Sequence, residues 1–303
     1  MRPRSLGRCR PRRAGEAAVA ATVAGIPRRK GRGVTTRHSR DDDLALALEL
    51  ADLADSLSLP RFGVPDLQVE TKPDLTPVSD ADRLVERELR AALQARRPGD
   101  ALVGEEFGGE VTAGRAWVVD PIDGTKNFVR GVPVWATLVA LLEGGCPVVG
   151  VVSAPALAAR WWAAEGAGSW TSRPGVPRRR NQVSRIRRLS EAFLSYSGLG
   201  GWGERQDRFE TLTRRVWRTR AFGDFWSHVL VAEGAVDLSA EPEVSLWDVA
   251  ALVVIVEQAG GRVSGVDGDP SPTSGSILCS NGVLHDEALA CLNEGDGDRT
   301  PAA

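Results

Sequence analysis

The apolar run Ala116-Trp117-Val118-Val119 ends abruptly in Asp120-Pro121-Ile122-Asp123-Gly124-Thr125. Such a run reads as a buried strand, which places Asp120 at its carboxyl end. Pro121 has no N–H to donate, so the strand ladder breaks there. The turn that follows can aim Asp120, the Ile122 carbonyl and Asp123 at one point. Gly124 lets the backbone approach a ligand closely. The Gly124 and Thr125 amides suit phosphate oxygens, and the Thr125 hydroxyl can position a water. Asp-Pro or Asp-Gly alone is ordinary turn chemistry. The whole string after a strand asks for more: a strand end, a sharp turn and a charged site at one place.

Two other segments set acids beside turns or helix starts. Gly104-Glu105-Glu106 lies just upstream, and Trp247-Asp248 opens an apolar helical pattern. A solvated turn would account for Glu105-Glu106 by itself. A helix-dipole acid would account for Asp248 by itself. Together with Asp120 and Asp123 they form an oxygen-rich set of the kind that hard cations such as Mg²⁺ require.

The charge distribution agrees with a cation site. Residues 1–40 carry twelve Arg or Lys and one acid, Glu16, a net of +11; the chain as a whole is −2, which leaves −13 for residues 41–303. An acidic body argues against a nucleic-acid partner. Cys9, Cys146, Cys279 and Cys291 show no CxxC spacing, so a zinc site or disulfide framework is not expected, and a cytoplasmic setting fits. No apolar run approaches the roughly 20 residues of a membrane span. Residues 1–40 mix Arg, Gly, Pro and Ala without periodicity and are read as a disordered basic extension, which an upstream start codon would explain. Residues 296–303 are read as a disordered tail.

In the body, Leu44, Ala47, Leu48, Ala51 and Ala54 follow Asp41-Asp42-Asp43 at helical spacing. A second helix is expected near Ser79, with Asp82 three residues on. Short apolar runs at Val134–Leu142, Val148–Val152 and Trp161–Ala164, separated by glycines, predict an antiparallel or mixed sheet. Residues 171–192 are basic and read as a loop. Helices are expected over Phe225–Ala232 and Leu246–Ala259, the latter stopped by Gly260-Gly261. These blocks predict a layered α/β or α+β architecture. A single domain over 41–295 is expected, with two sub-halves meeting near 180–190.

With these residues in view, a resemblance is plain. Trp117-Val-Val-Asp-Pro-Ile-Asp-Gly-Thr-Lys-Asn-Phe128 resembles the central signature of the inositol-monophosphatase superfamily. Gly104-Glu105-Glu106 resembles its upstream ligand motif. Leu246-Trp247-Asp248 through Glu257-Gln-Ala-Gly-Gly261 resembles its C-terminal signature, and Asp74-Leu75-Thr76-Pro77-Val78-Ser79-Asp80 its N-terminal segment. Lys72 stands closer to Asp74 than the family's lysine does, and Pro77 departs from the usual residue. The resemblance implies alternating α-β-α-β-α layers of the sugar-phosphatase type and Mg²⁺-dependent hydrolysis of a small phosphate monoester, with two or three ions. It implies Glu105, Asp120, the Ile122 carbonyl, Asp123 and Asp248 as metal ligands. It implies Glu105 and Thr125 as orienting the attacking water, Asp80 as supporting Thr125, and the Gly124 and Thr125 amides as holding phosphate. A homodimer is a further expectation of the family.

Within the superfamily, Lys72 to Asp80, Arg220 to Phe225, Ala232 to Asp237, and Leu194-Ser-Tyr-Ser197 with Trp202 resemble the histidinol-phosphatase branch. Asp224 and Glu241 match positions where relatives touch the alcohol, and two carboxylates suit L-histidinol phosphate, an aminoalcohol ester. Asp224 could instead cap a helix. Trp202 and Trp226 are candidates to stack on an imidazole, with core packing the plainer use of each. Alternatives are an inositol-1-phosphate, sugar or nucleotide 3′-phosphate phosphatase on the same scaffold, and a non-catalytic metal or phosphate-binding regulator. An aspartyl-phosphate phosphatase would want acids two apart, whereas Asp120 and Asp123 are three apart. No Gly-x-Ser-x-Gly elbow suggests a serine hydrolase.

Overall fold

The computed structural model describes residues 38–73, 75–111 and 113–294. The tail expected over 296–303 lies outside them, as do residues 1–37 of the expected extension. Helix α1 (Arg40–Ser58) starts where two reciprocal bonds form. The Ser39 hydroxyl accepts the Asp42 amide at 3.1 Å, and the Asp42 carboxylate accepts the Ser39 N–H at 3.0 Å. This satisfies donors that a helix start leaves open. Strands β1 (Val69–Thr71) and β2 (Pro77–Ser79) form a hairpin leading into α2 (Asp80–Arg96), where Ser79 and Asp82 close a second capping box.

The larger sheet has seven strands in chain order: β3 (Ala101–Gly104), β4 (Arg115–Asp123), β5 (Ala136–Glu143), β6 (Cys146–Ala154), β7 (Ala159–Ala164), β8 (Gly168–Arg173) and β9 (Val176–Arg180). Only β3 and β4 pair in parallel. A five-residue helix, α3 (Thr125–Val129), follows β4. The smaller sheet is built from β10 (Phe193–Ser195), β11 (Arg218–Arg220), β12 (Leu238–Glu241), β13 (Arg262–Ser264) and β14 (Ile277–Ser280), in the order β11-β10-β12-β14-β13. Helices α4 (Gln206–Arg215), α5 (Asp224–Ala232), α6 (Leu246–Gln258) and α7 (His285–Asn293) are interleaved with it.

Strand periodicity sorts the core into layers. On β4, Trp117 and Val119 face α1 and α2, meeting Leu46, Leu50, Val85 and Leu89. Val118 points the other way, into a layer formed by α5 and α6 and closed from beyond by Ile277 and Cys279 of the smaller sheet. The far face of that sheet, with Leu238, Ala240 and Leu278, packs on Phe209 and Leu212 of α4 and Ala288 and Leu292 of α7. The expected α-β-α-β-α alternation is therefore present. A strand buried on both faces reads as a continuous apolar run, as β4 to β6 do.

The basic stretch 171–192, expected to be a loop, differs. Residues through Arg173 belong to β8, and Val176–Arg180 forms the edge strand β9. Every residue of β9 is exposed, so it carries no apolar alternation to read. Pairing with β8 makes it a strand, and its arginines discourage further edge pairing.

Helix α6 lies directly on β6. A Cβ on Gly150 would stand 2.4 Å from the Ala251 carbonyl oxygen and 2.9 Å from its Cα. Both obstacles are backbone, so the helix would have to move. Gly150→Ala is expected to cost about 1–3 kcal/mol, the usual price of an overpacked core, read as a lowered midpoint in urea unfolding.

Candidate active site

Strand β4 and its turn place the first two carboxylates. Asp120 closes the regular pairing with β5, and the register shifts between Asp120 and Asp123. The Thr137 hydroxyl donates to the Pro121 carbonyl at 2.7 Å and pins the turn. Asp120 Oδ1 accepts the Ile122 N–H at 3.0 Å. Asp123 Oδ2 accepts the Phe225 N–H at 2.8 Å, so it caps α5 from another layer. Asp248, third residue of α6, accepts the Ser245 N–H at 2.6 Å. That bond closes a capping box at the helix start, where a dipole-stabilising acid is the plainer reading of Asp248, yet the residue also joins the cluster. Asp120, Asp123 and Asp248 each offer an oxygen within 4.8 Å of the others.

Crowding three carboxylates in a dry corner disfavours their charge. Burial first, then Glu105 and Asp123, pushes the Asp120 carboxyl well above its usual range. Burial, then Asp224 and Asp248, does the same to Asp123. Asp248 is pushed up to about 6, chiefly by burial and then by repulsion from Glu105. An all-oxygen set of this kind fits a hard divalent cation, which would relieve the repulsion.

Glu105 follows β3 in a tight hairpin closed by bonds between Gly104 and Gly108 at 3.1 Å. It lines the same cavity as Asp123 and Asp248, but it does not join the cluster of three. Lys72, on the β1–β2 hairpin, donates to Glu105 at 2.7 Å and to Glu106 at 2.6 Å. Burial works against the Lys72 charge, but the two glutamates more than offset it and hold the ammonium above its ordinary range.

Gly124 takes φ 81° between β4 and α3. A Cβ there would meet the Val134 carbonyl oxygen at 3.0 Å and Asp224 Oδ2 at 3.3 Å, so both conformation and space call for glycine. The Thr125 hydroxyl lies 3.0 Å from the Ile122 carbonyl oxygen and 3.3 Å from Asp82 Oδ1. The expected supporter, Asp80, is not the one used. Its Oδ2 is held by Arg61 at 2.9 Å. Residues two apart on a helix do not share a face, so only one of the pair can turn toward Thr125. The position three after the Ser79 cap was the signal for Asp82.

These residues open onto a cavity of about 430 Å³. Asp224 and Glu241 line it together with Asp123, Thr125 and Asp248. Asp224 is the first residue of α5, with φ 48°, and its Oδ2 accepts Asn127 Nδ2 at 2.9 Å. The α5 cap at Phe225 comes from Asp123, so capping does not occupy the Asp224 side chain. Glu241 ends β12, and burial pushes its carboxyl up to about 7. Ser197 and Lys126 also line the cavity, roles the sequence pattern left unassigned. Trp202 stacks on Phe209 at 3.7 Å in the core, and Trp226 packs against Phe222, while Trp247 stands in the cavity wall. His228 is buried with Nδ1 on Ser239 at 2.8 Å, and burial lowers it to about 4.

The profile of the inositol monophosphatase family matches residues 40–295. A histidinol-phosphatase of Mycobacterium tuberculosis is 59% identical over 257 residues, covering 84% of this chain and 99% of the relative. A histidinol-phosphatase of Streptomyces coelicolor is 57% identical over 259 residues, covering 84% and 97%. A solved structure of a Thermotoga maritima IMPase has a TM-score of 0.75 at 31% identity, covering 84% of this chain and 97% of that one.

Two outcomes follow from the geometry. Asp82→Asn is expected to slow phosphate release far more than Asp80→Asn in steady-state assays, since only Asp82 meets Thr125. A carboxyl whose pKa is raised by folding keeps a proton that the unfolded chain has released, so stability falls as pH rises through that interval. Chelator-treated protein is therefore expected to melt at lower temperature as pH rises from about 4, the unfolded value, to about 7, the upper folded value. Added Mg²⁺ is expected to recover at pH 7 the share of the loss that falls on Asp120, Asp123 and Asp248, as read by differential scanning fluorimetry.

Proposed function

Because the chain belongs to the inositol monophosphatase family and is a phosphoric monoester hydrolase, we propose that it hydrolyses L-histidinol phosphate to L-histidinol and phosphate, a step of histidine biosynthesis, with Mg²⁺ as cofactor. The observation that carries this reading is the second pair of carboxylates. Asp224 and Glu241 line the cavity that Asp123 and Asp248 of the carboxylate cluster also line. Burial raises the pKa of both, and Lys126 offsets it only in part at Asp224, so an ammonium group would be received where buried negative charge is incompletely balanced. A neutral polyol gains less from such a wall.

Asp120, Asp123, Asp248, Glu105 and the Ile122 carbonyl are assigned to hold Mg²⁺, and two or three ions are in keeping with that number of oxygen ligands. When bound, the cation supplies positive charge for the phosphate oxygens and acidifies the attacking water. The Gly124 and Thr125 amides are assigned to the phosphate, where negative charge spreads over the oxygens in the transition state. The Thr125 hydroxyl has one proton and two acceptors at hand, Asp82 and the Ile122 carbonyl. With the proton so directed, its lone pairs are free to accept from the water and orient it. Glu105, steadied by Lys72, is assigned to orient the same water. The water oxygen bonds to phosphorus as the bond to the alcohol oxygen breaks, the proton lost by the water is balanced by one gained by the leaving alcohol oxygen, and no covalent enzyme intermediate forms.

Phosphate release with Mg²⁺ from histidinol phosphate, inositol 1-phosphate, fructose 1,6-bisphosphate and adenosine 3′,5′-bisphosphate, measured in parallel, tests the reading. Histidinol phosphate is expected to lead in kcat/KM by roughly a hundredfold, the upper end of the cost of about 1–3 kcal/mol for leaving a buried polar group unpaired. Equal or faster turnover of inositol 1-phosphate would overturn it. Asp224→Thr is expected to erase much of the preference. Asp123→Asn is expected to abolish most activity on every ester, even at saturating Mg²⁺.

A further inference from the structure

Asp224 and Glu241 come from different elements, the start of α5 and the end of β12, yet both are tied back toward the β4 turn. The Asn127 amide bridges two acceptors, the Val134 carbonyl and Asp224 Oδ2, each at 2.9 Å. Both of its amide protons are thus used. No described residue donates to Asp224 Oδ1, which leaves that oxygen for a ligand. The Ser197 hydroxyl donates its single proton to Glu241 Oε1 at 2.7 Å and accepts the Asp224 N–H at 3.0 Å. Ser197 therefore links the Glu241 carboxylate to the Asp224 backbone in one chain with a fixed direction.

The backbone makes these tethers necessary. Asp224 sits at φ 48°, a conformation non-glycine residues adopt only when their surroundings over-determine it. The Phe225 N–H on Asp123, the Asp224 N–H on Ser197 and the Asp224 side chain on Asn127 together do so. None of these bonds from Asn127 or Ser197 reaches Asp120, Asp248 or Thr125.

We propose that Asn127 and Ser197 are positioning residues for substrate selectivity. Asn127 registers Asp224 against the metal-binding turn, and Ser197 registers Glu241 against Asp224, so that one pocket reads the cationic alcohol at a set distance from the scissile bond. The inference rests on the reading of Asp224 and Glu241 as the wall that receives the aminoalcohol. Asn127 belongs to the string that marks the phosphatase chemistry, so one short segment serves both the reaction and the choice of alcohol.

The test compares kcat/KM for histidinol phosphate with that for phenyl phosphate, an ester without an ammonium group, in the Mg²⁺-loaded wild type, Ser197→Ala, Ser197→Thr and Asn127→Ala. The ratio is expected to fall roughly tenfold in Ser197→Ala and Asn127→Ala, the scale of a lost hydrogen bond to a charged group. The loss should lie mainly in KM, and Ser197→Thr should recover most of it. Phenyl phosphate turnover reports whether each variant is folded, and two positions are used so that a misfolded variant at one leaves the other decisive. A wild-type preference that persists within twofold in the folded alanine variants would overturn the inference alone. A wild type with no preference would overturn the substrate reading, and the inference with it.

Discussion

Everything at this site depends on holding Asp120, Asp123 and Asp248 together where water is scarce. Like charges at such separations repel strongly in a low-dielectric setting. The fold does not remove that repulsion; it restrains the groups that suffer it. Each carboxylate is tied by a backbone N–H: Ile122 for Asp120, Phe225 for Asp123, Ser245 for Asp248. The second oxygen of each is then available to a cation. What is costly in the bare protein becomes affinity once a divalent ion is present, because binding removes the repulsion that folding created.

The layering serves this arrangement. The larger sheet brings the carboxyl end of β4 to the site, and α6 brings Asp248 by lying close on β6. Helix α5 contributes the Phe225 amide to the cluster and Asp224 to the cavity. Helices α5 and α6 are sandwiched between the two sheets, so neither can shift alone. The β1–β2 hairpin adds Lys72, which keeps Glu105 and Glu106 together without placing another bare charge at the cluster. An acidic body with a concentrated acidic cavity is thus one design rather than two.

Helix starts were legible because capping is local. Ser79 with Asp82 forms the box that spacing alone predicts, whereas Ser39, read as part of the extension, closes the same box with Asp42 at the start of α1. Buried strands were legible because β4 to β6 are apolar on both faces. The edge strand β9 was not, since its five residues are all exposed and its pairing partner defines it. Asp80 was mistaken for the partner of Thr125 because a linear motif carries no helical phase. Two residues along α2, Asp82 turns inward while Asp80 turns to Arg61.

By itself the sequence determined the chemistry of the β4 turn. Asp120, Pro121, Asp123, Gly124 and Thr125 are adjacent in the chain, so backbone geometry brings carboxylates and amides to one point whatever surrounds them. Tertiary structure alone decided what stands around that turn. Ser197, Asp224, Glu241 and Asp248 are separated from it by tens of residues, and only the packing of helices between two sheets sets their side chains at its cavity. The turn is a local event, governed by dihedrals and hydrogen bonds over six residues. Its surroundings are a matter of layers, and layers form only when the whole apolar core is buried.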